Sequence, residues 1–406
     1  MEKSIQLKLS IMMFLEFFIW GAWFVTMSTY LSKNLMANGI QIGWAYETQS
    51  WGAIVAPFII GLIADRFFAA QRILGVLHIL GGILLYFAST STSFDRFFPL
   101  ILIYMVLYMP TLALVNSVAF RQMKDTAREF AVIRVLGTIG WIVAGLIIGF
   151  IGWEKAGTLQ FTFQLAAGTS IFLGVFSFML PNTPPTNTGR VVSLADILGF
   201  EALSLLRDKR YLVFFVSSIM ICIPLAFYYQ NTNLFLNELG MDAVAAKMTL
   251  GQVSEIVFML LIPVFLYKYG IKKTLSVGMA AWVLRYILFA LGDNEGLVWM
   301  LVLGIVLHGI CYDFFFVSGQ IYTDKKAGNH IKSAAQGLIT LATYGVGMLI
   351  GFRLAGYITN NYESPTGHLW ENIWLIPAAI AFVVLMIFVF SFEDESKLLF
   401  KNKDND

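Results

Sequence analysis

Long apolar stretches recur along this chain, and each is long enough to cross a lipid bilayer as a helix. Crossing the hydrocarbon core takes roughly 20 apolar residues, and in lipid a helix satisfies every backbone polar group within the segment. The pattern therefore predicts an all-α membrane protein with about 12 transmembrane helices. The predicted spans are 9–31, 42–64, 73–92, 97–119, 131–152, 159–180, 211–235, 248–267, 274–292, 297–321, 334–358 and 372–392.

The longest polar interval, 181–210, divides the spans into two blocks of six. It opens with a cluster of Pro, Thr and Asn residues that is typical of turns. We therefore expect an N-terminal six-helix bundle over 1–180, a cytoplasmic linker over 181–210, a C-terminal six-helix bundle over 211–392 and a cytoplasmic tail over 393–406.

Composition and charge distribution agree with this topology. The 406 residues are 58% hydrophobic and 13% charged, against about 25% charged in a soluble domain. If both termini are cytoplasmic, 20 of the 27 Lys and Arg residues fall on cytoplasmic segments and four on outer loops, as the positive-inside rule requires. A net charge of +2 makes nucleic acid an unexpected partner.

Besides Glu47 near the outer end of the second span, six charged residues lie within the apolar spans. A charge inside a membrane is costly and usually marks a site or a pathway, so these positions are the first candidates for function. They are Glu16, Arg134, Glu255, Arg285, Asp313 and Arg353.

The loop after the second span carries a recognisable motif. Gly61, Asp65 and Arg66 follow the Gly-x-x-x-Asp-Arg signature of the major facilitator superfamily, although Phe68 replaces the usual glycine. This resemblance implies a gating loop, and the alternative is an ordinary basic cytoplasmic turn. The superfamily consists of two six-helix halves with the substrate site near the membrane midplane.

Several segments together resemble the nucleoside:proton symporter family of that superfamily, and within it the bacterial nucleoside transporters. The resemblance runs nearly end to end and implies import of nucleosides driven by a proton gradient. The segments that carry it are 17–23, 108–116, 133–141, 252–255, 269–273, 312–315 and 335–337.

Arg134, Thr138 and Trp141 are spaced to lie on one face of the fifth span. That face offers a forked cation, a hydroxyl and an aromatic plate, which suit the edges and the plane of a nucleoside. From spacing alone, Arg134 could instead extend to the membrane surface and Trp141 could simply pack. The family resemblance favours a binding role for the arginine and the threonine.

Gln252 and Glu255 share a face of the eighth span. They could bind ribose hydroxyls or a base edge, and the family resemblance covers both. Burial disfavours an ionised carboxylate, so Glu255 is a candidate for proton coupling. The alternative is a structural ion pair between Glu255 and Arg134 or Arg285.

His308 and Tyr312 are one turn apart on the tenth span, next to Asp313. The first two are candidates for substrate binding, and Asp313 is either proton-linked or a structural partner of Arg285. The better-known family pattern has a tyrosine where His308 stands. Glu16, in the first span, either titrates or bonds to a neighbouring helix.

The seventh span also departs from the family. The family's amide residues there align with Ala226 and Tyr229, while Gln230, Asn231 and Asn233 follow. We expect Tyr229 to contact the substrate, and a shifted amide set could change which base or sugar is accepted.

The sequence contains no pattern for an enzyme, a metal site or a cofactor. Proton-coupled nucleoside import is the leading hypothesis, and the alternatives are transport of a sugar or drug or uncoupled nucleoside diffusion. We expect a monomer in a bacterial inner membrane.

Overall fold

The computed structural model describes residues 2–59, 68–123, 126–185 and 200–395. The chain divides into two compact units. The first comprises Met1–Ser193 with Asp242–Thr249, and the second comprises Leu194–Met241 with Leu250–Asp406. The predicted loop residues Gly61, Asp65 and Arg66 lie outside the described residues.

The first unit is built from helices that pack in pairs. Helix α4 packs against α8, α1 against α6, and α3 against α5. The helices are α1 (Lys3–Gly21), α2 (Met27–Asn34), α3 (Gly39–Ile59), α4 (Ala70–Ser89), α5 (Phe94–Phe120), α6 (Thr126–Ile151), α7 (Trp153–Ala156) and α8 (Gln160–Ser177).

Small residues allow these pairs to approach closely. A Cβ atom added to Gly140 of α6 would lie 2.2 Å from the Phe14 carbonyl oxygen of α1. One added to Gly52 of α3 would lie 2.4 Å from the Met105 carbonyl oxygen of α5. Both distances are far inside van der Waals contact, so glycine is required where these backbones meet.

The second unit is also helical, with a short antiparallel strand pair, β1 (Glu363–Ser364) and β2 (Gly367–His368). A 3₁₀ helix covers Phe200–Arg207, and π-helical segments cover Asp313–Val317 and Leu341–Gly347. The α-helices are α9 (Lys209–Glu238), α10 (Val244–Leu291, whose first residues belong to the first unit), α11 (Val298–Val306), α12 (His308–Tyr312), α13 (Ser318–Thr340), α14 (Met348–Asn361) and α15 (Trp370–Ser391).

The helices agree with the predicted spans, with three differences in continuity. The tenth and eleventh spans run together in α13 and are separated at Gly328, whose φ is 65°. The first predicted span is broken between Gly21 and Met27. The eighth and ninth spans run together in α10 and are separated by Gly270, whose φ of 81° is accessible to glycine at little cost. By length and composition, nine described helices could cross a membrane. That number counts α10 once and omits Gly39–Ile59 and Gln160–Ser177, which the sequence also predicts as spans.

Polar contacts hold both ends of α9. At its start, the Asp208 carboxylate accepts hydrogen bonds from the backbone N–H groups of Arg210 and Tyr211 and lies 2.8 Å from the Lys326 ammonium. The hydrogen bond from Lys326 is the main cause that keeps the pKa of Asp208 below its usual value. At its end, Glu238 accepts hydrogen bonds from His368 Nδ1 (2.9 Å) and Trp370 Nε1 (2.8 Å).

Candidate functional site

Two of the three predicted site residues on helix α6 contact aromatic residues of α1. The Arg134 guanidinium carbon lies 4.2 Å from the centre of the Phe17 ring, a cation–π contact. Trp141 meets Trp20 edge to face, with 5.5 Å between ring centres. Arg134 and Trp141 remain partly exposed, and Thr138 is buried. Arg134 is therefore held against an aromatic ring, and packing against α1 accounts for part of the Trp141 surface.

Glu16 of α1 is fully buried and binds neighbouring helices, which is the second of its two predicted alternatives. Its Oε2 lies 2.8 Å from His78 Nε2 of α4, and its Oε1 accepts a 2.6 Å hydrogen bond from Thr111 of α5. The Tyr108 hydroxyl donates to the Glu16 backbone carbonyl. The glutamate therefore joins three helices of the first unit.

The second partner of His78 is a hydroxyl of α8. The Ser170 hydroxyl of α8 lies 3.1 Å from His78 Nδ1 and donates its one hydrogen to the His78 carbonyl oxygen at 2.9 Å. It must therefore accept from Nδ1, which carries a hydrogen. The contact between Nε2 and Glu16 then requires one shared proton, because an imidazole lone pair facing a carboxylate would be repulsive.

In the second unit, the structure brings together several predicted residues from α9, α10 and the α12 region. Glu255 of α10 is close enough to Asp313, Tyr229 and Tyr312 for electrostatic interaction. The Tyr312 hydroxyl is 2.6 Å from the hydroxyl of Tyr344. Two carboxylates and three phenols thus form one cluster.

Asp313 lies at the start of a π-helical segment and is fully buried. Within the described part of the chain, neither of its carboxylate oxygens has a hydrogen-bond partner. The predicted alternative of a structural pair between Asp313 and Arg285 is wrong, because the Arg285 guanidinium instead lies 3.1 Å from His308. A buried carboxylate without a partner carries a large cost when it is ionised.

Gln252 and His308 lie on opposite sides of a close helix contact. Gln252 is buried on α10 beside Gly251, where an added Cβ would be 3.1 Å from the His308 Cβ. Tyr228 of α9 stacks on the His308 ring at 5.1 Å, and Tyr229 meets the same ring edge to face at 6.4 Å.

The shifted amides of the seventh predicted span bond to another helix. Asn231 donates to the Thr359 hydroxyl of α14 at 3.0 Å. In the amide orientation that satisfies both of its ends, Gln230 donates to the Phe352 carbonyl and accepts from the Gly356 N–H. These two side chains hold α9 to α14, so the expectation that they alter substrate choice is not supported by their position.

Two participants were missed from the sequence: His78 as the partner of Glu16, and Tyr344 as the partner of Tyr312. Arg285 was among the charged candidates, but its contact with His308 was not predicted. Each is a polar residue within an apolar span, which is a signal, but spacing along one helix does not reveal a partner on another. The described residues contain no group of three or more His, Cys, Asp or Glu side chains that could hold a metal.

Comparison with known proteins gives one consistent result. The model of a family described as "Nucleoside H+ symporter" matches residues 3–397. The protein named "Putative nucleoside transporter YegT" of Escherichia coli (strain K12) is 46% identical, over 95% of this chain and 93% of its own length. The nucleoside permease NupG of the same organism is 31% identical over 96% of both chains. A crystal structure of the nucleoside transporter NupG superposes with a TM-score of 0.87, at 31% identity, and covers 96% of this chain and 99% of that one.

Proposed function

Because this chain belongs to the nucleoside H⁺ symporter family, we propose that it imports nucleosides together with protons by alternating access. The predicted major facilitator fold and the classification as a transporter rather than an enzyme are confirmed by the family and by the similarity to NupG. A monomer in the bacterial inner membrane, with both termini cytoplasmic, remains part of the proposal. So do the two bundles 1–180 and 211–392 and the gating loop with Gly61, Asp65 and Arg66.

The cluster around Glu255 and Asp313 is the observation that best supports proton coupling. Two carboxylates within electrostatic reach of each other favour a state in which they share a proton, because like charges disfavour double ionisation. We propose that Glu255 and Asp313 hold the coupling proton when the nucleoside binds, and that its release to the cytoplasm accompanies release of the nucleoside. Glu16, which already shares a proton with His78, is the weaker candidate.

For the substrate we propose two sets of contacts. In the first unit, Arg134, Thr138 and Trp141 offer a cation, a hydroxyl and an aromatic surface. In the second, Tyr229, Gln252, Glu255, His308 and Tyr312 offer phenols, an amide, a carboxylate and an imidazole. Each set offers polar groups and a flat aromatic surface of the kinds that nucleoside recognition requires.

The test is uptake of radiolabelled adenosine and uridine into proteoliposomes, with and without an inward proton gradient. We expect accumulation only with the gradient. Asp313→Asn should lose accumulation yet retain exchange of labelled for unlabelled nucleoside, which needs no net proton movement. Glu255→Gln should also lose accumulation, and its exchange should weaken because Glu255 is a proposed substrate contact. Asp242→Asn is the matched control, because it makes the same chemical change at an exposed carboxylate.

Each other outcome contradicts a definite part of the proposal. If nucleoside only equilibrates across the membrane, to the same level with and without the proton gradient, the protein is an uncoupled facilitator. Competition by sugars or drugs but not by nucleosides would mean another substrate. Accumulation that survives both carboxylate substitutions would exclude this cluster as the coupling site.

A further inference from the structure

We propose that Arg285 is a positioning residue that fixes His308 as a neutral imidazole with its hydrogen on Nε2. His308 would then recognise a hydrogen-bond acceptor on the nucleoside, such as a base carbonyl, a ring nitrogen or a ribose oxygen, and would not carry the coupling proton. The inference rests on the proposed function for the identity of the substrate, but the state of the imidazole can be tested without transport.

Arg285 is itself held in place. Its side chain is fully buried, and its guanidinium carbon lies 3.4 Å from the centre of the Tyr228 ring and 5.7 Å from that of Phe289. A cation over an aromatic face is attracted by the ring electrons, most strongly where water is absent. The guanidinium is therefore held against two aromatic rings. These contacts were not predicted from the sequence.

The contact between Arg285 and His308 determines which ring nitrogen carries the hydrogen. Arg285 Nη1 lies 3.1 Å from His308 Nδ1. A guanidinium has five N–H donors and no acceptor, and it stays protonated in proteins. His308 Nδ1 must therefore accept, so the ring is neutral and its hydrogen lies on Nε2. Protonation of Nδ1 would place two N–H groups and two positive charges against each other.

The surroundings of the ring reinforce the neutral state. Tyr228 and Tyr229 of α9 and Tyr312 of α12 lie around it, with Cys311 on the same helix. These groups are uncharged at neutral pH. Glu255 is the nearby carboxylate, and the interactions described above link it to Tyr229 and Tyr312. Of the groups named here, the Arg285 guanidinium is thus the one that both carries a full charge and contacts the imidazole directly.

Nε2 is the ring nitrogen that remains for a ligand, because Nδ1 is occupied by Arg285. The Arg285 Nε and Nη2 atoms are fully buried without hydrogen-bond partners among the described residues, and the His308 side chain is 2% exposed. Two of the neighbours of the ring, Tyr229 and Tyr312, are partly exposed and belong to the proposed substrate contacts. A donor beside two partly exposed phenols is suited to selecting an acceptor on the substrate.

The first test is the state of His308 itself. The chain has four His residues, so nitrogen NMR of protein labelled at histidine can resolve each imidazole, and His308→Gln identifies the signal. We expect the neutral form with hydrogen on Nε2 between pH 5.5 and 8. A protonated ring in that range, or hydrogen on Nδ1, would overturn the proposal whether or not the protein transports nucleosides.

The second test uses nucleoside exchange without a proton gradient. His308→Gln keeps a donor and should change the apparent KM by less than about threefold, while His308→Phe should raise it about tenfold or more, as expected for an unpaired polar group on the ligand. Arg285→Gln removes the cation and can donate to or accept from Nδ1. Its apparent KM should therefore rise as the pH falls from 8 to 5.5, since the ring can then be protonated.

The double variant Arg285→Gln/His308→Gln should lose that pH dependence, since its source is removed. If the dependence persists, another group is responsible and Arg285 does not act through His308. If wild-type protein exchanges nucleosides normally and its His308 titrates between pH 5.5 and 8, this inference fails alone. If it exchanges no nucleoside but His308 is neutral with hydrogen on Nε2, the proposed function fails alone.

Discussion

Replacement of His78 by leucine should destabilise the first unit more than any surface change, because it leaves the Glu16 carboxylate buried without its partner on α4. Both side chains are at most 1% exposed, and their contact is 2.8 Å long. Breaking a buried pair by removal of one member typically costs about 3–5 kcal/mol. We expect His78→Leu to lower the free energy of unfolding by about that amount.

Two companion variants separate the lost pair from simple loss of volume. Glu16→Gln retains a neutral side chain that can donate to His78 Nε2 and accept from Thr111, so it should cost less than about 1.5 kcal/mol, the net worth of a typical hydrogen bond. The double variant Glu16→Leu/His78→Leu removes both polar groups and should be more stable than His78→Leu alone, because apolar replacement of a whole buried pair is often neutral.

The assay is equilibrium unfolding in mixed micelles, followed by tryptophan fluorescence and analysed as a double-mutant cycle. His368→Leu is the matched control, since His368 pairs with Glu238 at a similar distance of 2.9 Å but where both side chains are partly exposed. We expect His368→Leu to lower the free energy of unfolding less than His78→Leu does. The reasoning is refuted if His78→Leu unfolds within about 1 kcal/mol of wild type, or if the double variant is as unstable as the single one.

Three further results are expected. Asp208→Ala should lower the free energy of unfolding by about 1 kcal/mol through loss of the cap on α9. Because the pKa of Asp208 is lower in the folded chain, the stabilisation by this carboxylate is present above its ordinary pKa of 3.8 and is lost as the pH falls through the lowered value. The acid unfolding curves of wild type and variant should therefore converge. Gly140→Val should reduce the yield of folded protein in size-exclusion chromatography, since its Cβ would meet the Phe14 carbonyl at 2.2 Å, whereas the same change at Gly168, which has open space around it, should not. Glu238→Ala should lower the melting temperature by loss of the two hydrogen bonds at the end of α9, and Glu238→Gln should lower it less.

The membrane-spanning pattern was predictable because it depends on local properties. A run of apolar residues is sufficient to indicate a helix in lipid, and the positions of Arg134, Glu255 and Asp313 inside such runs marked them for attention. The break after Gly21 was not predictable, because the residues that follow are as apolar as those before it and hydropathy does not record backbone direction.

The sequence could not predict which residue of another helix each polar side chain contacts. The spacing of Gln252 and Glu255 placed both on one helix, but it did not reveal that Asp313 would lie within electrostatic reach. Similarly, Gln230 and Asn231 looked like a displaced substrate site and proved to bond α14. Which neighbour a polar residue meets depends on packing between distant parts of the chain, and one sequence holds no direct signal for that.

The π-helical segment Asp313–Val317 has a consequence for evolution of this region. A π turn contains one residue more than an α turn, and such bulges are frequent at functional sites. It can therefore accommodate the loss of a single residue by relaxing to an ordinary α turn, while the helix after it keeps its orientation. In a regular α-helix the same loss would rotate the following residues by about 100°. Where two homologues differ by one residue here, the length difference would change which side chains accompany Asp313. Changes in the length of this segment, as well as changes in its residues, can therefore alter the surroundings of Asp313 during evolution.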